Sequence, residues 1–393
     1  MSEPPLFDRL PEQYFTRILA AAVAARDAPG PRLIDLGRGN PDLPPPAHAV
    51  AALREAALET GTVAVHGYPP FQGHPDLRAA IAERYRADHG VELDPEREVA
   101  VVPGTKTGIM LATLAAAGHG DAVLLPDPGY PDYRSAVALA AAREVALPLD
   151  ASAGHQPDLG AVPAADRERA RLLVLNYPSN PLAVCAAPGT FDAAVAFGRE
   201  HGCWLLNDLA YGFLAFDGRR GASVLESEGA RDVAVELWSP SKIYGMAGWR
   251  IGFAVGAAEL VGRIKTLLDH TAAGVWTGLQ RGLVAALRGD QAHVAQRREV
   301  YRLRRDALVG SLRAAGGEIA APEGTFYAWW RPPPGLTPER LLAEHRLAVA
   351  PGEGFGARGA GWVRLSLALP DADVGEGAQR LALAVAGALS EAP

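Results

Sequence analysis

Short apolar runs that stop abruptly at glycine or polar residues recur along the chain. Val99 to Val102 runs into Pro103-Gly104-Thr105-Lys106, Ala122 to Leu125 into "PDPGYPDY", and Leu172 to Leu175 into "NYPSNP". Cys203 to Leu206 is followed by Asn207-Asp208, Val233 to Trp238 by Ser239 to Lys242, and "WRIGFAVG" adds a further run. These runs do not alternate with polar residues, so both faces of each strand are expected to be covered, as in a parallel sheet. Helical stretches lie between them, over Gly108 to Ala117, Arg134 to Ala142 and Thr190 to His201. The pattern predicts an α/β fold, a mostly parallel sheet with helices on both faces. Ligands in such open sheets bind beyond the C-terminal ends of strands. Gly104, Tyr130, Asn180, Asp208 and Lys242 all sit at such ends and are expected to converge.

From Leu279 the pattern changes. A long stretch has apolar residues at helical spacing and an arginine-rich remaining face, read here as a solvated helix surface. The runs "GTFYAWWRPP" and "GWVRLSLAL" flank a helix that Thr337-Pro338-Glu339 should start. This part reads as an α+β lobe. Prolines 44 to 46 mark an early break and prolines 332 to 334 a loop. A length of 393 residues exceeds what one core usually covers, so two lobes are expected.

Composition narrows the function classes. Net charge is -7 with no basic block, which argues against nucleic acid as a partner. The two cysteines, Cys185 and Cys203, lie in apolar runs without metal-ligand spacing, and read as buried thiols. "MSEPPLFDRL" has no charged segment followed by an apolar one, and no run of apolar residues is long enough to span a membrane. A cytoplasmic protein is expected.

The polar strand ends suggest a chemistry. "PGTKTG" places Gly104, Thr105 and Lys106 at a strand-to-helix turn, where free N–H groups favour an anion. The spacing is not that of a Walker loop, and the turn alone is a weak signal. "SPSKIYGMAGWRIGF" adds Ser239, Lys242 and Arg250. A lysine in a partly dehydrated site has a lowered pKa and can form a Schiff base, and a guanidinium suits a phosphate dianion. A cofactor with both an aldehyde and a phosphate is pyridoxal phosphate, whose ring nitrogen wants a carboxylate. Asp208 ends a buried strand and fits that role. Tyr211 and Asn180 could reach the phenolic oxygen, and Tyr130 could lie on the ring. Plainer readings stand beside these: Lys242 on the surface, Asp208 as a helix cap, Arg250 in a structural ion pair, Tyr130 as packing. Arg364, within "WVRLSLAL", needs a buried partner, either a substrate carboxylate or a structural acid.

At this point the chain resembles the class I/II, fold-type I pyridoxal-phosphate aminotransferases, in order and over almost its whole length. "LGRGNPD" resembles the N-terminal substrate loop, with Gly39 near the substrate. "HGYPPFQGHPDLRAAIA" resembles the segment whose tyrosine, here Tyr68, reaches the phosphate of the neighbouring subunit; His66 beside it reads as structural. "GTKTG" is similar to the phosphate loop, "PDPGYPDY" carries the stacking Tyr130, "NYPSNP" carries Asn180, and "NDLAYG" carries Asp208 and Tyr211. "VAPGEGFGARGAGWVRLSLA" ends in Arg364, which in this family binds the substrate α-carboxylate. The resemblance implies a seven-stranded, mostly parallel sheet in a large domain over residues 47–280. It also implies a small α+β domain from both chain ends, 1–46 and 281–393, and a homodimer with shared active sites. Amino-group transfer between an amino acid and a 2-oxo acid through a Lys242 Schiff base is the implied activity. Elimination, replacement or condensation on the same scaffold is the alternative, and a non-catalytic regulator a remoter one.

The family usually has "NPTG" after the asparagine, whereas this chain has "NPLA", Asn180 to Ala183. "LFDRLPEQYFTRI" looks most like the subgroup acting on methionine-type, aromatic or diaminopimelate substrates, and Tyr14 and Phe15 are expected to fold over the site. A methionine-like or other neutral side chain is the first expectation. An acidic one held by Arg38 is the second. Arg38 is either that anchor or the partner of Asp35 or Asp42.

Overall fold

The structure is a computed structural model that describes residues 6–27 and 29–391. A short strand, β1 (Ile34–Asp35), precedes the seven of the main sheet: β2 (Val99–Val102), β3 (Ala122–Asp127), β4 (Arg143–Pro148), β5 (Ala170–Leu175), β6 (Trp204–Asp208), β7 (Ala234–Trp238) and β8 (Gly252–Gly256). Their order is β2-β8-β7-β6-β5-β3-β4. Strand β8 runs antiparallel to both neighbours and the remaining pairs are parallel.

Burial explains why the apolar runs carry no alternation. Val99 and Val101 face one side of the sheet, packing with Leu77, Ile81 and Leu283. Ala100 and Val102 face the other, packing with Ile109, Leu260 and Ile264. Each strand thus contributes to two cores, and a polar residue on either face needs a buried partner, as Glu236 of β7 finds in Tyr85, Ser223 and Asn207. Strand β4 is the exception: it lies at the sheet edge, and Arg143, Glu144, Ala146 and Pro148 are exposed. Its mixed pattern gives no continuous apolar run.

A second core is assembled from both ends of the chain. Ile34 and Leu36 join Tyr301, Leu308, Trp330, Leu365 and Leu381. Strand β9 (Tyr327–Trp330) lies next to β12 (Val363–Ser366), which pairs with β11 (Ala350–Pro351); β10 (Leu347–Ala348) pairs with β1. The helix Pro338–His345 begins at Thr337, whose hydroxyl accepts the Arg340 N–H at 3.3 Å. The long helical stretch is two helices, Thr277–Arg288 and Ala292–Ala314. The second begins in the first core with Val294 and ends in the second with Leu308 and Leu312.

The arginine face of that helix differs from the expected solvated surface, because Arg297, Arg304 and Arg305 are buried. Arg304 bridges Asp42 at 2.8 Å and Asp371 at 2.7 Å, and Arg305 pairs with Asp217. Arg297 donates to the carbonyls of Leu43 and Pro44. A buried guanidinium is retained only where acids and carbonyls meet its fork. Here those partners fasten the N-terminal segment to the helix. No helix among the described residues is long and apolar enough to cross a membrane.

Candidate active site

A cavity of about 400 Å³ opens at the C-terminal ends of the central strands, where the two cores meet. The turn after β2 brings Thr105 and Lys106 to its wall at the start of the helix Thr105–Ala116. Gly104 adopts φ 80°, and a Cβ there would lie 2.6 Å from Arg250 Nη2. Glycine therefore lets the arginine lie against the turn. Arg250 itself takes a left-handed φ of 52° and donates to the Ala247 carbonyl. Lys106 points its ammonium to Asp132 at 3.0 Å.

Strand β6 delivers Asp208, buried, with Tyr211 beyond it. The Tyr133 hydroxyl donates to Asp208 Oδ2 at 2.9 Å and the Ala210 N–H to Oδ1 at 3.2 Å. Burial pushes the carboxyl up to about 6, against those hydrogen bonds and the attraction of Lys242. Asn176, from the end of β5, donates to the Asp208 carbonyl at 2.7 Å and accepts the Asn180 N–H at 2.7 Å. Adjacent strand ends are locked together in this way. Burial also holds the Tyr130 and Tyr211 phenols far above their usual range, so both remain neutral.

Strand β7 is followed by Ser239, whose hydroxyl accepts the Ser241 N–H and caps the short helix Pro240–Ile243 carrying Lys242. Lys242 Nζ donates to the Gly39 carbonyl at 3.3 Å and lies 5.6 Å from the Phe326 ring centroid. Burial brings its pKa down to about 8, the guanidiniums of Arg364 and Arg250 push the same way, and Asp208 opposes.

Arg364, on β12, is 1 % exposed. It donates to Asn180 Oδ1 at 2.8 Å and to the Gly37 carbonyl at 3.0 Å, while Nε has no partner. Its guanidinium lies 3.9 Å from the Tyr327 ring centroid, 4.9 Å from Phe355 and 5.4 Å from Phe15. No carboxylate among the described residues neutralises it, so the structural-acid alternative is absent. The N-terminal helix Tyr14–Asp27 lends Phe15, Ile18 and Leu19 to the wall, held by a hydrogen bond from Gln13 to Asp132 and another from Tyr14 to the Pro351 carbonyl. Gly39 lies so near Tyr327 that a Cβ would collide with its hydroxyl.

The expected residues thus gather, Gly104 behind the wall against Arg250 and the others lining the cavity, except Tyr68, which is 88 % exposed and outside it. Asn176, Tyr133, Ser241 and Tyr327 are added by the structure. The first three lie inside motifs already singled out. Tyr327 sits in an apolar run and reads as core. In "NPLA", Leu182 is buried against Tyr14, Trp329 and Phe355. Ala183 takes φ 58°, with its carbonyl accepting from Glu323 N and Gly324 N. A leucine packed beneath the site wall thus occupies the place where the family usually has threonine.

The doubly covered sheet, the lysine after β7 and the dehydrated carboxylate at the end of β6 define a fold-type I pyridoxal-phosphate enzyme. A buried carboxylate with no ion-pair partner among the described residues, a neutralisable amine and an anion-favouring turn with Arg250 suit that cofactor's ring nitrogen, aldehyde and phosphate. Comparison with known proteins gives the family: residues 31–381 match Aminotransferase class I and II, and the chain belongs to that family. It is 39 % identical over 376 residues to L-glutamine--4-(methylsulfanyl)-2-oxobutanoate aminotransferase of Bacillus subtilis (strain 168), covering 95 % of this chain and 94 % of that one. It is 41 % identical over 379 residues to LL-diaminopimelate aminotransferase of Desulforudis audaxviator, covering 95 % of each. The apo-BacF structure from Bacillus subtilis superposes with a TM-score of 0.91 at 37 % identity, over 98 % of this chain and 99 % of that one. The protein is a pyridoxal-phosphate-dependent aminotransferase.

Proposed function

We propose that the cavity exchanges an amino group between an amino acid with a neutral, methionine-like side chain and a 2-oxo acid, with these residues in the following roles. Lys242 holds the cofactor by its aldehyde and Asp208 faces the ring nitrogen. Tyr211 and Asn180 serve the phenolic oxygen, and Tyr130 the ring face. The turn at Gly104 and Thr105, with Ser239 and Arg250, receives the phosphate, and Lys106 adds positive charge at its rim. Bound there, the cofactor supplies an electron sink for the pair left at the substrate's Cα.

The remaining chemistry belongs to side chains. Lys242 Nζ, with a pKa held near 8, has a neutral fraction near physiological pH and takes the Cα proton. Asp208 is ionised at neutral pH and stabilises positive charge opposite it. Arg364 grips the substrate α-carboxylate through paired hydrogen bonds, with Gly39 leaving room beside it. Tyr327, Phe355 and Phe15 keep water from that pair, which strengthens it. Phe15, Ile18 and Leu19 offer an apolar wall to the side chain. The named activity of the Bacillus relative, on 4-(methylsulfanyl)-2-oxobutanoate, supports a neutral thioether side chain.

The reading includes a cytoplasmic homodimer with shared active sites. Its support is an exposed apolar stretch with Leu58 at 72 %, Val63 at 82 % and Tyr68 at 88 % exposure. Tyr68 would serve the phosphate of a second copy. It also includes a large lobe over 47–280 and a small lobe from 1–46 and 281–393, with the helix Ala292–Ala314 as the bridge.

The carrying observation is Arg364, a buried cation with no acid of its own. Arg364→Lys removes the planar fork and should lower kcat/KM for amino acids about a hundredfold, roughly 3 kcal/mol. Cofactor content should stay unchanged. Unaltered kcat/KM would refute the assignment.

A further inference from the structure

Arg38 projects at the cavity wall without an acid. Both neighbouring carboxylates are committed elsewhere. Asp35 Oδ1 accepts the Gly37 N–H at 2.9 Å. Asp42 takes Arg304 at 2.8 Å and the Tyr301 hydroxyl at 3.1 Å. No ion pair or hydrogen bond meets the Arg38 guanidinium among the described residues, and the residue is exposed. The ion-pair alternative open in the sequence is therefore not realised.

The loop geometry says where this cation stands. Gly37, on one side of it, accepts from Arg364 at 3.0 Å; Gly39, on the other, accepts from Lys242 at 3.3 Å. Arg38 thus lies on the arc between the proposed carboxylate anchor and the proposed proton carrier, near where a substrate's side chain must leave Cα. Phe15, Ile18 and Leu19 line the same cavity with carbon only. One chamber therefore offers a side chain two kinds of surface, an apolar wall and an unneutralised guanidinium. An amino-group exchange passes two different molecules through one chamber, so both surfaces have a use.

We propose that Arg38 is a specificity-determining residue that binds a second, distal carboxylate. The enzyme would then accept dicarboxylic amino and 2-oxo acids as one partner of the exchange, and neutral side chains against Phe15, Ile18 and Leu19 as the other. This rests on Arg364 taking the α-carboxylate. A guanidinium suits a carboxylate better than an ammonium because its fork makes two parallel hydrogen bonds. Solvent exposure screens the pair, so discrimination of roughly three- to fivefold is expected rather than that of a buried pair.

Inert ligands separate the two ends of the chamber. Glutarate and pentanoate have the same carbon chain and differ only in the distal carboxylate. Calorimetry on the cofactor-loaded protein should show glutarate binding roughly three- to fivefold tighter. Arg38→Gln should weaken glutarate to the level of pentanoate and leave pentanoate unchanged. Arg38→Lys should retain part of the preference, and added salt should shrink it. Equal affinities in the wild type, or equal losses of both ligands in Arg38→Gln, would overturn the proposal. Arg364→Lys should weaken both ligands. If pentanoate binding survives that change, the α-carboxylate assignment falls instead, so the two failures are distinguishable.

Discussion

Replacing Lys242 by methionine should stabilise the cofactor-free protein at neutral pH. The ammonium is held in a dehydrated cavity beside two guanidiniums, and its pKa falls from 10.5 to about 8. At about 1.36 kcal/mol per pH unit, keeping that charge in the folded state costs about 3 kcal/mol. Methionine has similar bulk and no charge. Some of the gain is offset, because the hydrogen bond to the Gly39 carbonyl and the contact with Phe326 are lost. Asp208 also loses an attraction that helps keep it ionised. A net gain of about 2 kcal/mol remains at pH 7. The sign of its pH dependence follows from the depressed pKa. Below about 8 both folded and unfolded wild-type chains carry the proton, and the full cost is present. Between about 8 and 10.5 the folded chain has released it while the unfolded chain retains it, so wild-type stability climbs with pH toward that of the variant. Urea denaturation of stripped protein, followed by tryptophan fluorescence from pH 6.5 to 10.5, reads the difference. A methionine variant less stable than wild type at pH 7, or a gap that does not narrow toward about pH 10.5, would show that the site does not hold a dehydrated charge.

Tyr133→Phe removes the O–H donated to Asp208, a hydrogen bond to a charged group worth about 1.5–3 kcal/mol. The acid limb of the kcat/KM profile should move up by about one pH unit, and an unmoved limb would contradict the positioning role. Ala183→Gly should raise the denaturation midpoint, because the left-handed backbone at φ 58° costs alanine about 1–2 kcal/mol while glycine's extra unfolded-state freedom offsets about half of that. A lowered midpoint would mean the surrounding turn favours the methyl group.

What the sequence makes legible here depends on whether a residue's role is local. Strands β3, β5, β6 and β7 could be read because a strand covered on both faces is mostly apolar, a polar residue such as Glu236 in β7 being kept there by buried donors from Tyr85, Ser223 and Asn207, and the polar cluster that ends each run marks where the cover ends. That same rule picks out Asn180, Asp208 and Lys242, since a polar side chain immediately after such a run has one dry side and one open side. Strand β4 escapes it because an edge strand keeps a wet face. Arg304 and Arg305 depart from the solvated face for a different reason: helical spacing shows which residues share a face, not whether Asp42, Asp371 or Asp217 will arrive to meet them. Tyr327 stayed hidden because an aromatic ring in an apolar run is indistinguishable from packing until Gly39, Tyr211 and Arg364 are seen around its hydroxyl and ring.

Arg38 joins both lessons. Asp42 stands four residues away and looks like its partner, yet Arg304, from the long helix, has already taken that carboxylate. Two donors already occupy the two oxygens of Asp42, Arg304 on one and the Tyr301 hydroxyl on the other. The contact that fastens the N-terminal segment to the long helix and the unpaired guanidinium at the mouth of the cavity therefore lie on one short stretch of chain. Asp42→Asn, by freeing Arg304 rather than by touching Arg38, should loosen the segment that carries Gly37 and Gly39, and so disturb the grip of Arg364 before it alters any preference for a second carboxylate.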